Sequence, residues 1–90
     1  MTEFLLELYV PRDARRRVDE GAERARREAE RVTHGGKLVR FVRTIFVPED
    51  ETCFYLFEAA SVDAVRETAR RAGLRFDRIS EAVSESIGAT

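Results

Sequence analysis

The 90-residue chain has one cysteine, Cys53, which excludes an internal disulfide and any CxxC site. No apolar run approaches the ~18 residues of a membrane-spanning helix, and no signal-peptide pattern opens the chain. A cytoplasmic location is therefore expected. Charge of one sign is not in excess either: 16 basic side chains face 17 acidic ones, for a net charge of −1. A general nucleic-acid binder carries a basic surplus, so neither nucleic acid nor a membrane is expected as a partner. Lys37 is the only lysine among the basic residues. That arginine bias fits a GC-rich genome or selection for bidentate carboxylate recognition, and nothing in the sequence separates the two. No glycine-rich phosphate loop precedes a helix, since Gly35-Gly36 leads into a strand. What the chain does have is 43% apolar and 9% aromatic residues, which suits a small globular fold and excludes an intrinsically disordered one. A domain of this size buries only about 60–68% of its unfolded surface, so spare apolar surface often ends in a subunit interface.

Alternation predicts a strand from Glu3 to Val10, with Phe4, Leu6, Leu8 and Val10 on one face and Leu5, Glu7 and Tyr9 on the other. Pro11 and Asp13 end it, with Asp13 the expected cap of a following helix. From Ala14 to Val32 the apolar positions Ala14, Val18, Ala22, Ala25, Ala29 and Val32 recur at helical spacing. They are mostly small, with Gly21 beside them, so this helix is expected to sit close to a sheet. Its other face carries Arg15, Arg16, Glu20, Glu23, Arg27 and Glu30, a solvated surface of alternating charge. Thr33-His34-Gly35-Gly36 supplies the stop.

Leu38–Val47 and Thr52–Glu58, joined by the turn Pro48–Glu51, read as an antiparallel hairpin. Ser61 caps a second helix with Val62, Val65, Ala69 and Ala72 facing inward and Gly73 at its end. A weaker strand lies within Phe76–Val83. Residues 1–83 thus form a single domain, and 84–90 read as a mobile tail. The order βαββαβ is the α+β, ferredoxin-like arrangement: a four-stranded antiparallel sheet with two helices on one face. Strands one and three lie in the middle. The face without helices carries Leu5 and Tyr9 around Glu7, plus either Phe54 and Leu56 or Tyr55 and Phe57. Such a face calls for a cover, and a homodimer is the expected one.

Thr52-Cys53-Phe54-Tyr55-Leu56-Phe57-Glu58 has the spaced aromatics of an RNA-recognition strand but neither its glycines nor its basic start. A soft-metal carrier would need two cysteines after the first strand. Cys53 and His34 are the only thiol and imidazole, and they fall in separate elements, which disfavours a nucleophilic pair. His34 is either an exposed residue at a helix end or a metal ligand, completed by Glu7 or by a second copy across a dimer. Glu7 and Glu58 lie among apolar residues, where an unpaired charge is costly. They either pair with Arg40 or Arg43 on the second strand, or form with Tyr9 the polar groups of a small pocket.

In the second half, Phe57-Glu58-Ala59-Ala60-Ser61, Val65-Arg66-Glu67, Ala72-Gly73-Leu74 and Asp77-Arg78-Ile79-Ser80-Glu81 together resemble a bacterial family of small ferredoxin-like domains. That family, formerly a domain of unknown function, is named after a streptomycete nickel-binding protein. Phe4-Leu5-Leu6-Glu7 and the acidic turn ending in Asp50 are similar to it as well. The resemblance implies a homodimer that binds nickel, with Glu7 and Glu58 at family-like positions. Leu8 stands where family members often carry Arg, and Tyr55 where they often carry Cys.

Two function classes follow. The first is a non-catalytic homodimer binding a small ligand or a metal, nickel being the metal implied. Its candidate ligand-binding residues are Glu7, Tyr9, Arg40 and Glu58, and its candidate metal ligands are His34 and Glu7. The second is a cofactor-independent enzyme, a monooxygenase or isomerase of the dimeric ferredoxin-like barrel type. Binding is favoured, because only Glu7, Tyr9 and Glu58 qualify as a positioned acid or base and the lone histidine, His34, lies in a loop. A mixed-sequence RNA at physiological salt is expected to bind neither tightly nor with a steep salt dependence, as a filter-binding titration would show.

Overall fold

The computed structural model describes residues 1–85. Its elements are β1 (Thr2–Tyr9), α1 (Arg15–His34), β2 (Val39–Val47), a 3-10 turn at Pro48–Asp50, β3 (Thr52–Ala59), α2 (Val62–Arg71) and β4 (Arg78–Ala82). The strands form one antiparallel sheet in the order β2-β3-β1-β4, with β1 and β3 central. The fold is the expected α+β, ferredoxin-like one. Residues 86–90, most of the expected tail, lie outside the described residues.

The alternation along β1 and β3 decides which side chains meet the helices. Phe4, Leu6 and Leu8 of β1 and Cys53, Tyr55, Phe57 and Ala59 of β3 are buried beneath α1 and α2. Phe54 and Leu56 therefore take the open face. Val18, Ala22, Ala25, Ala29 and Val32 of α1 complete the core, with Ala64, Val65 and Ala69 of α2. Phe41 of β2 packs edge-on against Phe57 at 5.5 Å between ring centroids and against Tyr55 at 5.7 Å. Such tilted pairs favour the ring quadrupoles.

Small residues on α1 let it approach the sheet, and Tyr55 uses the space. Its ring is fully buried and its hydroxyl donates to the Val18 carbonyl at 2.7 Å. A β-carbon on Gly21 would collide with that hydroxyl and touch Leu74. Gly21 is thus a space requirement, while Gly73, at φ 69°, is a conformational one that ends α2.

Several local expectations shift. Asp13 does not cap α1: the N-cap is Ala14, without a side-chain bond. A backbone turn, Ala14 N–H to the Pro11 carbonyl at 2.9 Å, brings the chain into the helix one residue later. Ser61 does cap α2, accepting from the Ala64 N–H at 3.3 Å. Val62 is exposed rather than inward, and Thr68 takes the buried position, its hydroxyl bonded to the Ala64 carbonyl at 2.8 Å. The last strand, Arg78–Ala82, falls within the expected Phe76–Val83. The open face is also less bare than its alternation suggests: Leu56 is only 8% exposed, and Tyr9 and Ile45 are its strongly exposed large apolar residues.

Two predictions follow from the Tyr55 region. Gly21→Ala is expected to lose ~1–3 kcal/mol in urea unfolding, outweighing alanine's better helix propensity. Adding Tyr55→Phe should restore part of that loss; a Gly21→Ala protein more stable than the parent would contradict the packing.

Burial pushes the Cys53 thiol from its ordinary 9.0 up to about 11, against a smaller opposing effect of the Tyr55 hydroxyl. Burial likewise raises the Tyr55 hydroxyl, with the neighbouring Cys53 adding to the effect. The unfolded thiol ionises near 9.0 while the folded one keeps its proton to about 11. The unfolded state thus binds fewer protons in this window, and stability falls as pH rises through it. Cys53→Ala is expected to flatten that fall in melts across the alkaline range.

Candidate functional site

The candidate residues of the open face are held by cross-strand pairing. Arg40 and Glu58 lie directly opposite in the β2–β3 register, and the guanidinium reaches the carboxylate at 2.6 Å. Glu7 pairs with Arg78 at 3.0 Å, again directly opposite, across β1 and β4. An arginine of β2 was the expected partner of Glu7, but β3 stands between β1 and β2, so β4 supplies it. Such half-exposed pairs contribute about 0.2–1 kcal/mol each. Both acids therefore have a structural partner. Glu7 sits opposite Phe54 and Glu58 opposite Glu3, four residues apart along β3, about 13 Å at strand rise.

The described residues line separate concavities at the two ends of α1. At its C-terminal end, a cleft of about 620 Å³ runs between α1 and the edge strand β2. Glu30, Thr33 and His34 border it from α1, and Leu38, Arg40 and Phe41 from the β2 side. Thr33 fixes the turn between them: its hydroxyl donates to the Val39 carbonyl at 2.8 Å and accepts from the Val39 N–H at 3.0 Å. Lys37 ties the same turn to α2 through Glu67 at 2.9 Å. That contact and its charge raise the Lys37 pKa, and the same hydrogen bond lowers that of Glu67. Arg26 lies over the Phe41 ring, 5.4 Å from its centroid. Met1 and Leu38 stand exposed at the rim.

At the N-terminal end, a second cleft of about 520 Å³ opens between α1, the end of β1 and the loop after α2, and Tyr9 lines it. A third concavity, of about 530 Å³, lies on the open face, bordered by Leu56, Arg43, Ser84 and Glu85 among others. The structure therefore brings His34 and Arg40 together in one cleft, places Tyr9 in another, and leaves Glu7 and Glu58 in ion pairs outside these concavities. His34 and Glu7 lie at opposite ends of the sheet. The β2 strand that follows the His34 turn starts opposite Ala59, five residues along β3 from the partner of Glu7, about 17 Å at strand rise.

Whether nickel fits is a question of donors. Among the described residues there is no group of three or more His, Cys, Asp or Glu side chains placed to hold a metal ion. Cys53 is buried in the core with its thiol protonated at neutral pH. Glu30 and His34, one helical turn apart on α1, border the same cleft. Glu30 is exposed, as its place on the charged face of α1 implies, and its spacing of four from His34 is what puts the two side by side. One copy thus offers two donors of the hard-to-intermediate type that nickel accepts, fewer than its preferred square-planar or octahedral sets require.

No helix among the described residues is long and apolar enough to cross a membrane. Among curated proteins, none matches the sequence significantly. The fold resembles the crystal structure of SCO4226 from Streptomyces coelicolor A3(2), with a TM-score of 0.62 at 19% identity over 93% of this chain and 99% of that one. At that identity the likeness shows the fold. The family model described as "Nickel responsive protein SCO4226-like" matches residues 10–82, from the end of β1 through β4. The chain belongs to the SCO4226-like family of nickel-responsive proteins.

Proposed function

We propose that the chain is a non-catalytic metal-binding protein that takes nickel at the C-terminal end of α1 as a homodimer. The observation that carries this reading is the placement of His34, the chain's one imidazole, with Glu30 in the cleft between α1 and β2. The family's description supports the metal. Two donors per copy leave the ion undersupplied, and a second copy of the same pair would bring the set to four. The exposed Met1 and Leu38 beside the donors are apolar surface that such a copy would cover.

Glu7, which belonged to the expected metal set, is spoken for by Arg78 and lies at the other end of the sheet, so it is left out of this site. Arg40 reaches the cleft rim while holding Glu58, a role in which it would set the local charge rather than bind the ion. The enzyme alternative asks for a free acid or base among Glu7, Tyr9 and Glu58, in a pocket between the sheets of two copies. Glu7 and Glu58 are each held by an arginine on the sheet's open face, which favours binding over catalysis.

The test is a nickel titration by calorimetry, read beside sedimentation equilibrium. One nickel per two chains is expected, with dimer favoured in its presence. His34→Ala should weaken uptake by about tenfold or more, as loss of a ligand or its support does. Glu30→Gln should weaken it as well, and Glu7→Gln should leave it unchanged. Full uptake by His34→Ala, or its loss in a folded Glu7→Gln protein, would overturn the assignment.

A further inference from the structure

The cleft at the N-terminal end of α1 has a chemistry unlike that of the His34 end. Arg17 and Arg24 stand about two turns apart on α1 and face Arg75, which comes from the loop after α2. Glu20 and Asp77 border the same cleft. Among the described residues none of these three arginines is in an ion pair, as is also true of Arg12, Arg15, Arg16, Arg27, Arg43 and Arg70; what sets the three apart is that they share one cleft. The Arg24 guanidinium is positioned by another bond: its Nε donates to the Ala72 carbonyl at 2.9 Å, bridging α1 to the end of α2. The terminal nitrogens of that group are left for another acceptor.

The surroundings concentrate positive charge at this end of α1. The first turn of α1 carries Arg15, Arg16 and Arg17 and no acid, so like charges crowd the end of a helix where a positive charge is unfavourable. Buried Leu8, Val10 and Leu74 line the same cleft and give it an apolar wall beside the arginines. Three guanidinium groups against two carboxylates leave the cleft cationic, and its volume of about 520 Å³ is that of a small-molecule site.

We propose that this cleft binds a small oxyanion, a carboxylate or a phosphate, through Arg17, Arg24 and Arg75. Guanidinium groups suit this task because their paired N–H donors match two oxygens of such an anion. The site lies at the other end of α1 from His34 and needs neither nickel nor a second copy.

The chain supplies its own probe. It has no tryptophan, and both of its tyrosines, Tyr9 and Tyr55, line this cleft, so tyrosine emission reports on it directly. Metal-free protein would be titrated with inorganic phosphate and, separately, with citrate, at ionic strength held constant with sodium chloride. A saturable change with half-saturation below about 10 mM is expected for at least one of them. The better anion identifies the class. Arg17→Gln and Arg75→Gln should each raise the half-saturation by about tenfold or more, whereas Arg27→Gln, on α1 but away from the cleft, should not change it. No saturable change with either anion, or an equal loss in Arg27→Gln, would overturn the proposal. Failure of nickel uptake would leave it standing.

Discussion

The architecture depends on how closely α1 lies on the sheet, and that distance is set by Tyr55. Its hydroxyl is buried under the helix and bonds to the Val18 carbonyl, in a gap that exists because residue 21 has no side chain. A buried phenol without an acceptor would cost ~1–3 kcal/mol, so the hydrogen bond and the glycine are needed together. The alanines at 22, 25 and 29 continue the close approach along the helix. Packing density leaves little room for α1 to slide, so its two ends are fixed relative to the strands.

Those two ends differ chemically because the sequence of α1 does. Toward the N-terminus it presents arginines to the loop that follows α2. Toward the C-terminus it presents Glu30 and His34 to the start of β2, where Thr33 clamps the turn with two hydrogen bonds to Val39. The sheet's open face, by contrast, is organised by ion pairs. Glu7 with Arg78 and Glu58 with Arg40 bracket Leu5, Phe54 and Leu56, so the charges in the strands are neutralised where they stand.

The order of elements and the inward faces of β1 and α1 were legible in the sequence, because alternation and helical spacing are local patterns that packing only amplifies. Ser61 and Gly73 were legible for the same reason. The role of Tyr55 was not: its partner, the Val18 carbonyl, lies 37 residues away, and nothing in a run of apolar strand residues marks one ring as hydrogen-bonded. The partner of Glu7 depends on the register of β4 against β1, which the weak pattern of that last strand did not fix. His34 was singled out as a metal candidate with Glu7; the fold puts Glu30 of the same helix, and not Glu7, in the cleft beside it, a neighbourhood that only the position of β2 defines. The arginines of the other cleft were hidden in a chain where almost every basic residue is an arginine.

Which part of the molecule meets the metal is tested most directly by hydrogen–deuterium exchange of the full chain with and without nickel. Added nickel is expected to protect amides from Glu30 through Arg40, the end of α1 and the turn into β2, and to leave Leu5–Glu7 and Arg78–Ser80 unchanged. Protection centred on the Glu7–Arg78 pair, with none around His34, would contradict a nickel site there.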